Sequence, residues 1–503
     1  MFDVITGARS RLCDGSSRRD FLRAGLFGMS GLGGLGLGGN LRASDPIAAG
    51  GSFVRDKSVV FLFLAGGPSQ YETFDPKPDG PDGSTSINGH VPTAITGVRF
   101  SAYLPKLAKM ADRLTVVRSF KTKHPEHNGA HKQLLTADLT VQDGRPITEP
   151  GLGAVYARAA GAMNPNTGLP RHALIPPTTR NKAGRAGFNG SFESVVEGCQ
   201  PAGLGNAYSP FELLAPLSDG PVEEGKKKKK GEEPNPFLDL LNPRLTSTDV
   251  NDRLALLKQL DRLDRKADAA GAMGRLDEFT LQAAEVLRSG KVREALDLSR
   301  EKPAMIKAYD TEHFPNWNCD DNSKFIRKGP SVGFSLGRQL LLARRLCEAG
   351  AGFVTVVNAN WDFHARKGIP NMPEGMSVFA PPLDHAVCAF LEDVKQRGLE
   401  DKILLVITGE FGRSGLDKNL GRHHHAKLCP LVFAGGGLKH GQVVGQSDRR
   451  GAEPATEAVT IADLHATILH TLFDIGRMRA DVSVPARVID RATKGTPIKE
   501  LFS

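Results

Sequence analysis

Four short apolar runs decide most of what this 503-residue chain can become. Ser58–Leu64 reads Ser-Val-Val-Phe-Leu-Phe-Leu and breaks into Ala65-Gly66-Gly67-Pro68. Gly352–Val357 ends in Asn358-Ala359-Asn360-Trp361-Asp362, and Ile403–Ile407 ends in Thr408-Gly409-Glu410. Leu428–Phe433 leads to the triple glycine Gly435–Gly437. Unbroken apolar runs of this length suit strands buried on both faces, as in a parallel sheet. Helical spacing lies between them: Gly333–Ala349 sets Leu336, Leu340, Ala343 and Leu346 on one face, and Leu383–Arg397 forms a second helix. Strands alternating with helices, each strand followed by polar residues, predict an α/β class. The expected architecture is a large, mostly parallel sheet, with helices on both faces, that works at its carboxyl edge.

Composition excludes several other classes. The chain is 40% hydrophobic and 24% charged, which rules out wholesale disorder and fibrous repeats. Its net charge of +9 is diffuse, because the Lys226–Lys230 run is neutralised by Asp219, Glu223, Glu224, Glu232 and Glu233. Nucleic acid is therefore not an expected partner, since its binders concentrate their charge in a patch or stripe. Six cysteines, none in a C-x-x-C pair, indicate neither a disulfide scaffold nor a cysteine zinc site. Residues 218–236 read as a charged low-complexity insertion, and Asp252–Ser289 as a leucine-rich surface helix or helical pair.

Ser17-Arg18-Arg19-Asp20-Phe21-Leu22-Arg23 precedes sixteen uncharged residues, Ala24–Gly39, of which eight are glycine. This resembles a twin-arginine export signal, followed by a stretch too short and glycine-rich to span a bilayer. The resemblance implies handling by the twin-arginine translocase, a periplasmic or cell-envelope destination, and no transmembrane span in the mature chain. The expected division is a leader at 1–45 and one α/β domain over 55–503.

Candidate ligands gather after the strands: Ser69, Glu72 and Asp75; then His124, Glu126, His127 and His131; then Asp362 and His364; then Glu410. Arg422-His423-His424-His425 precedes the last strand. Imidazoles and carboxylates drawn from several loops at one sheet edge are what a divalent metal site requires. Arg422 is also of a type that pairs bidentately with phosphate, sulfate or carboxylate.

These residues resemble a family. Trp361-Asp362-x-His364, Thr408-Gly409-Glu410-Phe411-Gly412-Arg413-Ser414 and Gly421-Arg422-x-His424-His425 look like the signature of the domain-of-unknown-function 1501 proteins. Gly66-Gly67-Pro68-Ser69, Thr73-Phe74-Asp75-Pro76-Lys77-Pro78, Gly435-Gly436-Gly437-Leu438-Lys439 and Asp463-Leu464-His465-Ala466-Thr467-Ile468 fit the same pattern. The resemblance implies an alkaline phosphatase/sulfatase-like α/β domain and a metal-dependent hydrolase of phosphate or sulfate esters. It implies a divalent ion (zinc, manganese or calcium) held by Asp362, His364, Glu410 and His424. His127 or His131 would be general base or second ligand, and Arg422 or Arg413 would neutralise charge on an anionic small-molecule or glycan ester. Aligning Leu134-Leu135-Thr136 with the sulfatase nucleophile motif puts His127 at the nucleophile position, so a covalent Ser, Thr or formylglycine route is not implied. The alternative is a non-catalytic descendant that binds a polysaccharide or an envelope partner protein.

Overall fold

Val59, Phe61 and Phe63 point to one side of the first strand and Val60, Leu62 and Leu64 to the other, and all six are buried. A strand buried on both faces must lie inside a sheet with a hydrophobic layer on each side. A computed structural model describes residues 53–176, 191–213, 290–314, 336–366 and 369–502. The leader, the 218–236 insertion and the Asp252–Ser289 segment lie outside the described residues.

The strands are β1 (Ser58–Leu64), β2 (His90–Pro92), β3 (Arg99–Ser101), β4 (Thr115–Val117), β5 (His172–Ile175) and β6 (Phe211–Glu212). They continue with β7 (Phe353–Asn358), β8 (Ile403–Thr408), β9 (Gly412–Leu416), β10 (Arg422–His425), β11 (Leu431–Gly435) and β12 (Gln442–Val444). Eight form the main sheet, in the order β12-β4-β11-β8-β1-β7-β5-β6, while β9 pairs with β10 and β2 with β3. The register sets Leu62 beside Val356 on β7 and Ile407 on β8. One hydrophobic layer packs the sheet against helices His127–Thr136, Leu152–Ala160 and Ile461–Leu472. The other packs it against Leu336–Glu348 and Met372–Gln396. The expected sheet, mostly parallel with helices on both faces, is what the chain forms.

Two expectations need correction. The run read as Leu428–Phe433 becomes β11, and it runs antiparallel to both β8 and β4, whereas every other pairing in the main sheet is parallel. The cause is topological. After β8 the chain stays at the carboxyl edge through the β9–β10 hairpin, so the next strand can only run back. The triple glycine therefore lies at the opposite edge from Glu410. The second helix starts at Met372 rather than Leu383, with an Asn371–Glu374 capping box and Pro381 and Pro382 inside it. Prolines mark helix boundaries in sequence because they lack an N–H and crowd the preceding turn; here the buried face, which includes Met376, Phe379, Leu383, Val387 and Phe390, carries the helix through them.

One buried polar cluster ties the helices of the second layer. Arg344, fully buried, lies 2.8 Å from Asp393 and 2.9 Å from Glu301, and the Tyr309 hydroxyl donates to Asp393 at 3.0 Å. Arg397 also pairs with Asp393 at 2.7 Å and with Glu301 at 2.9 Å, so Arg344→Met removes the most buried of several cations rather than the only one, and is expected to cost about 3 kcal/mol. A urea-unfolding midpoint unchanged from wild type would contradict this.

Candidate functional site

The carboxyl ends of β1, β4, β7 and β8 all open on one edge, and the reversal of β11 brings β10 to the same place. β8 delivers Glu410 and β7 delivers Asp362. The segment after β4 begins the helix His127–Thr136, whose first two turns carry His127 and His131 on one side, at i and i+4. β10 supplies His424.

The geometry is close. His127 Nδ1 lies 2.7 Å from Glu410 Oε1, and its Nε2 lies 3.6 Å from Asp362 Oδ2. His424 Nε2 is 3.3 Å from Asp362 Oδ1 and His364 Nε2 is 3.1 Å from Oδ2. His131 Nε2 is 3.2 Å from Glu410 Oε1, but out of line for a hydrogen bond, so that this buried nitrogen stays unsatisfied. The donors thus form two overlapping groups, His127–Asp362–His424 and His127–His131–Glu410, joined at His127. Glu410 and His131 are fully buried, while Asp362, His127, His424 and His364 are each about one-fifth exposed (18–22%) and face the opening.

The surroundings fix which nitrogen points inward. The Ser194 hydroxyl donates to Asn128 Oδ1 at 3.2 Å, so it accepts from His131 Nδ1–H at 2.8 Å and leaves Nε2 facing Glu410. His424 Nδ1–H donates to the Pro125 carbonyl at 2.8 Å, which turns its Nε2 toward Asp362 Oδ1 at 3.3 Å. An imidazole nitrogen facing a carboxylate needs a proton or a cation between them. A carbonyl or hydroxyl behind each ring is also the arrangement that orients ligating histidines. The donor set therefore fits a divalent cation.

Backbone close packing makes the pocket possible. Gly66 N–H donates to both Glu410 oxygens, at 2.9 and 3.2 Å. Gly66 has φ +117°, and a Cβ there would sit 2.6 Å from Trp361 N; one on Gly67 would sit 2.5 Å from the Phe411 ring. Phe411 is buried beneath the imidazoles, its ring 5.0 Å from that of His127 and 4.6 Å from that of His424. It displaces water from below the cluster.

The two arginines do not stand where the sequence suggested. Arg413 is wholly buried and its N–H groups are committed to Gly66 O, Gly67 O, Trp361 O, Arg422 O and Asp362 Oδ1, the last at 2.7 Å. It steadies Asp362 and, wholly buried, presents no donor at the opening. Arg422 is also wholly buried, on Glu72 at 2.8 Å and over the Tyr71 ring at 4.3 Å. Of the residues after β1, Ser69 and Asp75 are likewise interior: Ser69 accepts from Glu72 N, and Asp75 pairs with Ser447, Lys77 and Arg118. His423 turns away to Asp417 at 3.1 Å and His425 to Ala452 O. Sequence reasoning missed the supporting set of Gly66 N–H, Phe411, Ser194 and the Pro125 carbonyl. Of these, only the Gly66-Gly67 pair carried a readable signal.

The electrostatics follow from this packing. Burial opposes ionisation of Asp362 and Glu410, but each is held well below the usual carboxylate range, Asp362 by the Arg413 charge and three imidazoles, Glu410 by His131 and His127. Burial would lower the His127 pKa, yet hydrogen bonds and charge from Asp362 and Glu410 outweigh it and raise the value to about 9. The raised value means that protonated His127 stabilises the cation-free fold fully below about pH 6.5, and this contribution is lost as the pH climbs through about 9. A ring 15N titration of chelated protein should find the His127 midpoint near 9, and the stability lost between pH 6.5 and 9 should shrink in His127→Ala. A midpoint near 6.5 would contradict the arrangement.

No curated protein matches the chain. Among solved structures, the chain is similar to the phosphonate monoester hydrolase SpPMH from Silicibacter pomeroyi, with 12% identity, a TM-score of 0.33, and 88% of this chain and 76% of that one covered. It is similar to the PsFucS1 sulfatase from Pseudoalteromonas sp., with 12% identity, a TM-score of 0.33, and 83% and 68% covered. It is also similar to the C-terminal periplasmic domain of EcEptC from Escherichia coli in complex with Zn, with 10% identity, a TM-score of 0.33, and 85% and 86% covered. At sequence level, the family model described as "Protein of unknown function (DUF1501)" matches residues 56–502, and the chain belongs to that family.

Proposed function

We propose that the chain is an exported, metal-dependent hydrolase of phosphate or sulfate esters, acting at the edge where β1, β7 and β8 end. One observation carries the reading: His131 Nε2 and His424 Nε2 each point at a carboxylate oxygen, at 3.2 and 3.3 Å, within the two overlapping donor groups. The imidazole donors favour zinc over calcium, which takes oxygen ligands, and the two carboxylates also suit manganese. Asp362, Glu410, His424 and His131 would hold the ion, with His364 beside Asp362 and His127 between the two carboxylates. Bound there, such an ion supplies Lewis acidity toward an anionic ester and acidifies water.

The chain's own residues do the rest. Arg413 keeps Asp362 ionised and oriented, and Phe411 excludes water from beneath the imidazoles. His127 lies at the opening with Glu410 behind its Nδ1, the relation that fixes a tautomer and leaves Nε2 to exchange a proton. Its proton is held by two carboxylates; once their charge is compensated, that hold relaxes and His127 becomes able to accept a proton near neutral pH. The twin-arginine pattern at Arg18-Arg19 supports export through that translocase to the periplasm or envelope, ahead of a single domain from about residue 55. Among the described residues, no helix is long and apolar enough to cross a membrane.

The second reading, a non-catalytic descendant that binds a glycan or envelope protein, is favoured by a different observation. Among the described residues, no Ser, Thr or Cys side chain donates to His127, Asp362, Glu410 or His424, so no covalent nucleophile stands in the cluster. Elemental analysis of the folded protein should find at least one equivalent of zinc or manganese, lost in His424→Ala. Metal affinity should rise with pH toward about 9 as the His127 proton is displaced. Aryl phosphate or aryl sulfate hydrolysis should vanish with chelator and fall about 100-fold or more in Asp362→Ala, in line with the loss of a metal ligand. Metal-replete protein inert toward both esters, but retaining glycan affinity, would favour the second reading.

A further inference from the structure

We infer that the buried Glu72–Arg422 ion pair is a clamp that positions His424 and Asp362 for cation binding; this rests on the metal-centred reading above. Arg422 and His424 are alternate residues of β10, and in a regular strand they would face the same side. The register shows why they do not. Arg422 pairs with Leu416 but His424 pairs with Arg413, so that Ser414 and Gly415 of β9 oppose the single residue His423. This bulge re-aims the strand, as bulges beside functional sites do. Arg422 is turned into the loop of residues 66–87, while His424 faces Asp362.

Arg422 then locks the bulge in place. Its Nε and Nη2 lie 3.0 and 2.8 Å from Glu72 Oε1. Nη2 donates to Thr85 O at 2.6 Å, and Nη1 to Gly83 O at 2.9 Å and Ser414 O, within the bulge itself, at 3.2 Å. Glu72 is held in turn by the Ser86 hydroxyl at 2.8 Å and Ile87 N at 3.1 Å. The Arg422 carbonyl accepts from Arg413 Nη1 at 3.0 Å, and Arg413 holds Asp362 at 2.7 Å. One pair therefore stands behind both arms of the site, a single hydrogen bond from Arg413 and two residues from His424. Glu72 and Arg422 are wholly buried, so neither meets a ligand: they are positioning residues. A buried ion pair is a weak source of net stability, since desolvation offsets its attraction. What this one supplies is direction, through a planar fork that lysine cannot reproduce.

The test compares Arg422→Lys and Glu72→Gln with Leu340→Ala, a core change in the layer on the other face of the sheet. Two readouts are taken on the full-length protein: Zn2+ affinity by competition with a chromophoric chelator, and, in chelated protein, the ring 1H–15N signal of His424 Nδ1–H. Both clamp variants should lose roughly 10- to 100-fold in Zn2+ affinity and the His424 signal, with far-UV circular dichroism retained. Leu340→Ala should lower Tm and leave both readouts unchanged. Folded clamp variants with wild-type affinity and an intact His424 signal would overturn the inference. If wild-type protein binds no Zn2+, the metal reading fails by itself, and the ring signal in the chelated variants still decides the clamp. Should Arg422→Lys fail to fold, Glu72→Gln carries the same test, because it keeps the shape while removing the charge and one of the two acceptor oxygens.

Discussion

Glu410 holds a carboxylate where water does not reach, at the end of the strand beside the centre of the sheet. A buried charge persists only when charge and donors surround it, and that demand organises the edge. It requires Gly66 to present a bare N–H, and so a backbone conformation with φ of +117° that glycine accepts. It requires the helix His127–Thr136 to approach with two imidazoles a turn apart. Asp362 makes the same demand two strands away, across β1, and Arg413 meets it from beneath.

The reversed strand is what lets five segments reach one place. Had β11 run parallel to its neighbours, the residues before it would have entered at the amino edge, away from Glu410. The β9–β10 hairpin avoids that by turning the chain at the carboxyl edge, and its bulge divides the work of two nearby residues. His424 goes to the opening and Arg422 goes to the interior. A site assembled in this way depends on the loop after β1 as much as on its own ligands, because Glu72, Gly83 and Thr85 are all partners of Arg422.

With both arginines occupied internally, the chemistry offered at the opening is that of histidine and carboxylate. This bears directly on function. An anion would meet imidazoles, together with whatever cation the carboxylates hold, rather than a guanidinium fork. The proton on His127 is then the most exposed positive charge of the cluster, and it is held by the same carboxylates that would bind the cation. Proton and cation compete for one pair of anions, which couples any activity of the site to pH through its occupancy.

Much of this was legible in the chain itself. The run Ser58–Leu64 and its counterparts before Asp362 and Glu410 determine buried parallel strands, because an unbroken apolar sequence can only lie inside a sheet covered on both faces. The residues after those runs determine which chemical groups the carboxyl edge can offer. Asp362, Glu410, His127, His131 and His424 were identifiable as ligand types, and they do converge. What only the tertiary structure decided is direction: the reversal of β11, the continuation of a helix through Pro381 and Pro382, and the inward fate of Arg413 and Arg422. Sequence spacing records which side chains are near the edge, but an arginine six atoms long can swing to either side of its strand. Its final partner is set by buried carboxylates and carbonyls contributed from more than 300 residues away in the chain, such as Glu72 for Arg422.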